Sequence, residues 1–269
     1  MNILILGDVA GPAGVKAVKE RLPEIIKEKK IDFVIVNGEN AADSGRGITK
    51  KIFEEFLKAG ADVITTGNHV WDHKDAEDIA SKNINFLRPS NMPKDSPGKG
   101  EGIFIKNGKR FIVLNLMGNV FMKKCDDVFV EAKKFIKKFK LGDGQADFII
   151  VDMHGEITSE KMAMGYLFDG KATMVVGTHT HVPTSDHRIM EKGTAYQTDI
   201  GMCGDYNSVI GMNRDNSLKK FLKDSSAENH FPALGEATIS GLLVTADDKT
   251  GLAKKVQPII LGGSLQERI

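Results

Sequence analysis

The sequence carries only two cysteines, Cys125 and Cys203, far apart and in no CxxC pair. Structural disulfide use is not expected, and a reducing, cytoplasmic home is. Charge of one sign is missing too: 37 basic residues face 36 acidic ones. That balance speaks against duplex nucleic acid or an anionic membrane as the main partner. No apolar run reaches the ~18 residues that span a bilayer. The first apolar run, Asn2 to Leu6, is too short for a signal-peptide core and has no basic leader. Internal repeats, low-complexity blocks and clear linkers are absent. The 269 residues, with 41% hydrophobic and 27% charged, have an ordinary globular composition. One domain over residues 1–269 with a substantial core is expected.

What is present is a repeated strand–helix pattern. Asn2 to Leu6 reads as a buried strand, and Val15, Val18, Leu22, Ile25 and Ile26 recur at helical spacing across 12–30. Asp32 to Val36 predicts a second strand, Ile52, Phe53, Phe56 and Leu57 a second helix, and Asp62 to Thr66 a third strand, which is β-α-β-α-β with parallel logic. Residues 70–82 read as helical and 83–102 as a surface wrap. A hairpin is expected around Asn107-Gly108. Phe129, Ala132, Phe135, Ile136 and Phe139 predict the core face of a helix. The βα pattern resumes with a strand over 147–151, a helix over 159–168 and a strand over 172–176. Beyond Pro183 come short strands (188–190, 194–198, 236–245, 253–260), read as an antiparallel half-sheet, with a Lys-rich helix over 216–223 and a loop over 224–230.

The ends of these strands carry the chemistry. Val175-Val176-Gly177 closes a strand, and His179 and His181 follow two residues apart. In an extended segment residues i and i+2 point the same way, so both imidazoles are expected to aim at one point. Four other strand-like runs end on Asp8, on Glu39 with Asn40, on Asn68 with His69, and on His154. Functional groups gather at the carboxyl ends of parallel strands. Such a series predicts a shared metal site. It holds too many donors for one tetrahedral zinc ion, whose catalytic sites use three protein ligands. A mixed nitrogen and oxygen set suits iron, manganese or zinc and disfavours calcium. A carboxylate can bridge two ions that hold a hydroxide between them, and Glu39 is the candidate bridge.

Gly7-Asp8, Gly38-Glu39-Asn40, Gly67-Asn68-His69, His154 and Gly177-Thr178-His179-Thr180-His181 resemble, in order, the motifs of the calcineurin-like binuclear metallophosphoesterases. Two departures stand out. Asp8-Val9-Ala10 replaces the usual Asp-x-His, and Glu39 replaces the usual bridging Asp. Both departures resemble the bacterial YmdB-like phosphodiesterases, in which an Asn after the Glu, here Asn40, takes the missing histidine's place; Thr198 to Met202 is similar to that subgroup as well. The resemblance implies an α/β fold, a four-layer α-β-β-α sandwich of two mixed sheets. It implies Asp8, Glu39, Asn40 and His181 as ligands of a first metal, and Glu39, Asn68, His154 and His179 as ligands of a second. It implies iron as the commonest metal and His69, not itself a ligand, as general acid. It implies hydrolysis of nucleoside 2′,3′-cyclic phosphates. Alternatives from the same motifs are a phosphomonoesterase or 5′-nucleotidase with the same metals, and a regulatory protein that binds a nucleotide without turnover. RNA-derived phosphodiesters and assembly into a homo-oligomer stay open.

Other candidates weigh less. Gly11-Pro12-Ala13-Gly14 lacks the P-loop Lys-Ser/Thr and reads as a tight turn rather than a phosphate cradle. His73, His187 and His230 read as non-ligands. Asp152 is either a support for the site or a solvated or capping residue, and Arg46 reads as a surface charge before a phosphate contact.

Overall fold

A computed structural model of the chain describes residues 1–142 and 144–268. β1 (Asn2–Leu6) passes through the two-residue β2 (Asp8–Val9) into α1 (Gly11–Lys29). β3 (Phe33–Asn37), α2 (Lys50–Lys58) and β4 (Val63–Thr65) follow. α2 starts where the Thr49 hydroxyl accepts the Ile52 N–H at 3.1 Å, satisfying one of the free amides of the first turn. α3 (Ala76–Lys82) is shorter than the 70–82 helix expected. Residues 67–75 instead run through successive turns, with Val70 N–H donating to Gly67 O and Asp72 N–H to His69 O. Those turns bring Asp72 back onto the His69 side chain, so tertiary use overrides local helix propensity.

The 83–102 segment is more than a surface wrap. It contains β5 (Phe86–Leu87), whose apolar pair is buried, and the buried Arg88, whose guanidinium donates to the carbonyls of Pro89 and Pro97. β6 (Glu101–Lys106) and β7 (Lys109–Met117) form the expected hairpin. Its turn residues Asn107 and Gly108 sit at φ 52° and 73°, the left-handed pair that a two-residue turn demands. The remaining elements are α4 (Val128–Lys138), β8 (Phe148–His154), α5 (Thr158–Phe168), β9 (Met174–Thr178), β10 (Arg188–Ile189), β11 (Ala195–Gln197), β12 (Met202–Cys203), α6 (Arg214–Phe221), β13 (Ile239–Ala246) and β14 (Ala253–Leu261).

Two six-stranded mixed sheets run β14-β13-β1-β3-β4-β5 and β10-β11-β9-β8-β7-β6, and β12 pairs with β2 apart from them. The late strands do not make one antiparallel half-sheet. β13 and β14 extend the first sheet antiparallel to β1, while β10 and β11 extend the second, with β11 parallel to β9. The strands read as unbroken apolar runs because both of their faces are covered. Ile3, Ile5, Phe33 and Ile35 meet Phe111, Phe148 and Ile150 between the sheets. Leu4, Leu6, Val34 and Val36 face the helices α1 and α2, and Ile149, Val151 and Val175 face α4 and α5. The result is the four-layer α-β-β-α sandwich. Phe33 stacks on Phe111 across the middle layer at 4.2 Å between centroids, near the amino ends of β3 and β7 and so at the opposite end of the strands from the residues after their carboxyl ends.

Candidate metal centre

All eight residues singled out at strand ends lie together between the carboxyl ends of the two sheets. Asp8 in β2 follows directly on β1 of the first sheet, whose β3 and β4 lead to Glu39, Asn40, Asn68 and His69, and the second sheet delivers His154, His179 and His181. Glu39 Oε1 lies 3.0 Å from His154 Nε2 and 3.1 Å from Asn40 Nδ2, while its Oε2 accepts the His69 backbone N–H at 3.0 Å. Two donor groups therefore share this carboxylate. On one side His154 Nε2 meets Asn68 Oδ1 at 2.9 Å and His179 Nδ1 at 3.1 Å. On the other, Asn40 Nδ2 lies 3.1 Å from His181 Nε2. Asp8 Oδ2 accepts the His179 backbone N–H at 3.0 Å.

The two histidines of the Thr178 to His181 turn reach the site by a different geometry from the one expected. β9 stops at Thr178, and His179 and His181 have φ of 104° and 66°, so strand alternation does not aim them. A tight turn does, and Asp199 holds it by accepting from Thr180 N–H at 3.1 Å and Thr180 Oγ1 at 2.7 Å. Lys161 Nζ in turn donates to Asp199 at 2.9 Å, with both groups buried. β12 beside β2 brings the Thr198 to Met202 segment against Asp8. Backbone passes so close here that a Cβ on Gly7 would sit 2.0 Å from Gly201 O, and one on Gly67 would sit 2.2 Å from His154 Nε2.

The residues fit a cation. Asp8 Oδ1 is buried and has no hydrogen-bond partner, an arrangement normally costly for a carboxylate. Around His154 Nε2, Glu39 Oε1, Asn68 Oδ1 and His179 Nδ1 all stand within 3.1 Å, although one imidazole N–H satisfies only one acceptor. Glu39, His154 and His179 each offer a ligand atom within 4.8 Å of the others. Outer partners take the ring nitrogens on the far side and turn the inward ones toward the cluster. The Thr178 hydroxyl donates to Asp152 at 2.7 Å, so it accepts from His154 Nδ1–H at 2.9 Å and aims Nε2 at the cluster. His181 Nδ1–H donates to Ile210 O at 2.8 Å, freeing Nε2, and His179 Nε2 faces the Glu156 carboxylate at 3.2 Å, freeing Nδ1. Asp152, buried and also accepting from Thr65 and Asn37, is thus a support of the site.

The titration of the cluster shows its demand for positive charge. Burial pushes Asp8 up to about 6, against the pull of His154 and His181. Burial also opposes charge on Glu39, yet His154 and His69 hold it below the usual carboxylate range. Against its own burial, His154 is raised to about 9 by Glu39 and Asp8. Burial and the neighbouring His154 charge lower His179 to about 3. Buried carboxylates gather positive charge, and neutral His179 is ready as a ligand.

His69 stands at the edge of this cluster. Its Nδ1 is 2.6 Å from Asp72 Oδ2, and it borders, with Glu39, Asn40, His179 and His181 of the cluster, a cavity of about 290 Å³. Burial raises Asp72, but its bonds to His69 and Lys123 win and lower it, so Asp72 stays an anion that holds the ring. Asp72 was not singled out in the sequence, although its i+3 spacing from His69 was visible. Arg46 also lines the cavity, as does His230, which had offered no spacing signal. Gly11 to Gly14 form the first turn of α1 rather than a separate tight turn, with Gly14 packed on Cys203 O, and His73 accepts from Asp75 N–H at 3.2 Å within its own loop.

A sequence-family model described as YmdB-like protein matches residues 4–259. The chain belongs to this family. It is 43% identical to the 2′,3′-cyclic-nucleotide 2′-phosphodiesterase of Bacillus subtilis (strain 168) over 261 residues, 97% of each chain. A crystal structure titled as a novel phosphatase, from Mycoplasma pneumoniae, superposes with a TM-score of 0.89 at 36% identity, covering 97% of this chain and 93% of that one. A 5′-nucleotidase precursor from Thermus thermophilus superposes with a TM-score of 0.54 at 13% identity, covering 97% of this chain and 54% of that one, a likeness of fold. The YmdB-like chain therefore has the metallophosphoesterase fold, and its Glu39, His154 and His179 are placed where they could hold a metal ion. Among the described residues, no helix is long and apolar enough to cross a membrane.

Proposed function

We propose that the chain is a dinuclear metal-dependent phosphodiesterase that opens nucleoside 2′,3′-cyclic phosphates to 3′-nucleotides. The observation that carries this reading is one carboxylate, Glu39, shared by two donor groups, with His69 beside them at the cavity. Asp8, Glu39, Asn40 and His181 would hold one ion, and Glu39, Asn68, His154 and His179 the other. Iron is the favoured metal, with manganese or zinc next, and the cytoplasm the favoured location. When bound, the metal pair supplies Lewis acidity toward the phosphate oxygens and acidifies the attacking water.

The chain's own residues do the rest. Thr178, Ile210 O and Glu156 orient the three imidazoles. His69, held through Nδ1 by Asp72, presents Nε2 to the leaving oxygen and gives it a proton. A ribose alkoxide is a poor leaving group, so this proton matters. Arg46, whose side chain lines the cavity, faces the anionic diester. The near full-length identity to the Bacillus phosphodiesterase supports cyclic nucleotides as the substrate class; RNA-derived diesters are the wider class, and the pairing of β1 with β13 supports one domain over the whole chain.

The test is kcat/KM across 2′,3′-cyclic AMP, 2′,3′-cyclic GMP, the 3′,5′ isomers and 5′-monophosphates on metal-quantified protein. Both 2′,3′ substrates are expected to lead, because the five-membered cyclic phosphate is strained. A tenfold lead for 3′,5′-cyclic nucleotides or 5′-monophosphates, about 1.4 kcal/mol, overturns the substrate assignment, the latter in favour of a 5′-nucleotidase. Binding without turnover of any of them supports a regulatory nucleotide sensor.

A further inference from the structure

The cavity of about 290 Å³ extends past the metal-side residues to a wall from the segment around α6. The site residues account for its inner end. Its outer end is Val209, Ile210, Met212, Ser217 and Phe221, an apolar surface that nothing in the phosphate chemistry requires. Two features of this wall point to a ligand. Phe221, at the end of α6, is 78% exposed, an unusual setting for a large apolar ring. Ser217, one turn earlier on the same helix, is 1% exposed, and its hydroxyl is buried without a hydrogen-bond partner. An unpartnered buried hydroxyl beside a cavity is a group waiting for a polar partner that the protein does not supply. The wall is also tied to the metal side. Ile210 is held at φ 49°, strained for a β-branched residue, and its carbonyl receives the His181 Nδ1–H.

We propose that Phe221, Met212 and Ser217 form a nucleobase subsite, where the base stacks on Phe221 against Met212 and a polar atom of its edge pairs with Ser217 Oγ. The proposal rests on the cyclic-nucleotide reading above and names the part of that substrate the outer wall recognises. A planar heterocycle with polar edge atoms matches a wall that offers a ring, a thioether and a hydroxyl, in a cavity that Arg46 and His230 also line. Stacking tolerates any base because each has a π-face. A serine hydroxyl both donates and accepts, so it matches either kind of edge atom. The subsite therefore selects nucleotides over bare sugar phosphates while discriminating little between adenine and guanine.

The experiment compares 2′,3′-cyclic AMP with methyl β-D-ribofuranoside 2,3-cyclic phosphate, which has the same reacting ring and no base, on metal-quantified wild type, Phe221→Ala, Phe221→Trp and Ser217→Ala. Calorimetric titration with 3′-AMP is run in parallel. The kcat/KM ratio of nucleotide over abasic substrate is expected to fall about tenfold in Phe221→Ala, mostly through KM, and to recover in Phe221→Trp. Ser217→Ala is expected to lower the ratio about three- to tenfold without lowering Tm, since the hydroxyl has no partner to lose. Ratios that stay at the wild-type value in both alanine variants, or equal losses on both substrates, overturn the subsite. If wild type turns over neither cyclic phosphate, the functional reading fails by itself, and the titration decides the subsite: weaker 3′-AMP binding in Phe221→Ala supports it, and equal binding overturns it.

Discussion

In the candidate metal centre Asp8, Glu39 and His154 are fully buried, and outer partners hold the ring nitrogens on the far side of each candidate ligand histidine; at the outer end of the cavity beside it Phe221 stands 78% exposed on a short helix. The inner groups sit at the ends of strands locked between two covered sheets, so their positions follow from the core. The outer wall hangs on α6 and its flanking loops, joined to the centre through the Ile210 carbonyl. Chemistry that needs fixed geometry is on the rigid half, and recognition that needs area is on the loop half.

The largest effect expected is on the inner half. Asp8→Ala and His179→Ala should lose metal and activity together, to the background of the assay, while circular dichroism shows the chain folded. Wild-type protein should carry two transition-metal ions per chain by elemental analysis. One ion per chain at saturation with full activity would break the dinuclear reading.

Next comes the proton. His69→Ala should retain both metals, since its side chain is paired with Asp72 and only its backbone N–H meets Glu39. Activity on sugar diesters should fall by about 10²–10⁴. Activity on a p-nitrophenyl diester should fall less, because that leaving group departs without a proton. Equal losses on both substrates would assign His69 an orienting role.

A smaller effect is expected one layer out. Thr178→Val removes the hydroxyl that accepts from His154 Nδ1 and donates to Asp152. The imidazole loses the partner that sets its tautomer, and Asp152 loses one of three donors. Outer partners of this kind change metal affinity or activity by about 10–100-fold. A chelator competition that finds wild-type metal affinity in Thr178→Val would show that packing alone orients His154.

The inner half was legible in the sequence and the outer half was not, for a physical reason. Strands buried on both faces announce themselves as apolar runs, and Asp8, Glu39, Asn68, His154 and His179 stand directly at their ends. The order of the motifs then identified the family. Asp72 was three residues from His69, but it fell inside the 70–82 segment read as a helix, and nothing in that reading marked it as a partner of the site. The late strands gave the right segments and the wrong partners, since period-2 alternation says nothing about which sheet a strand joins. Ile210, Ser217 and Phe221 carry no signal at all. A serine without a partner and an exposed ring are defined by what lies beside them in space, and 30 or more residues separate them from every metal-side residue except His181, which is 29 from Ile210.

The smallest effect sets the two halves against each other with one residue type. Phe56 on α2 is fully buried among the helices and the first sheet, so Phe56→Ala should cost about 3–5 kcal/mol of stability, the loss of transfer free energy plus a cavity. Phe221→Ala removes the same atoms from a ring already 78% in water. Little apolar area returns to solvent, no cavity opens, and α6 gains the better helix former. Its stability change in urea unfolding should stay within about 0.5 kcal/mol, as for surface substitutions generally. A loss above about 2 kcal/mol would mean that Phe221 is packed in solution. The outer wall would then be as rigid as the centre, and the contrast between fixed chemistry and open recognition would collapse.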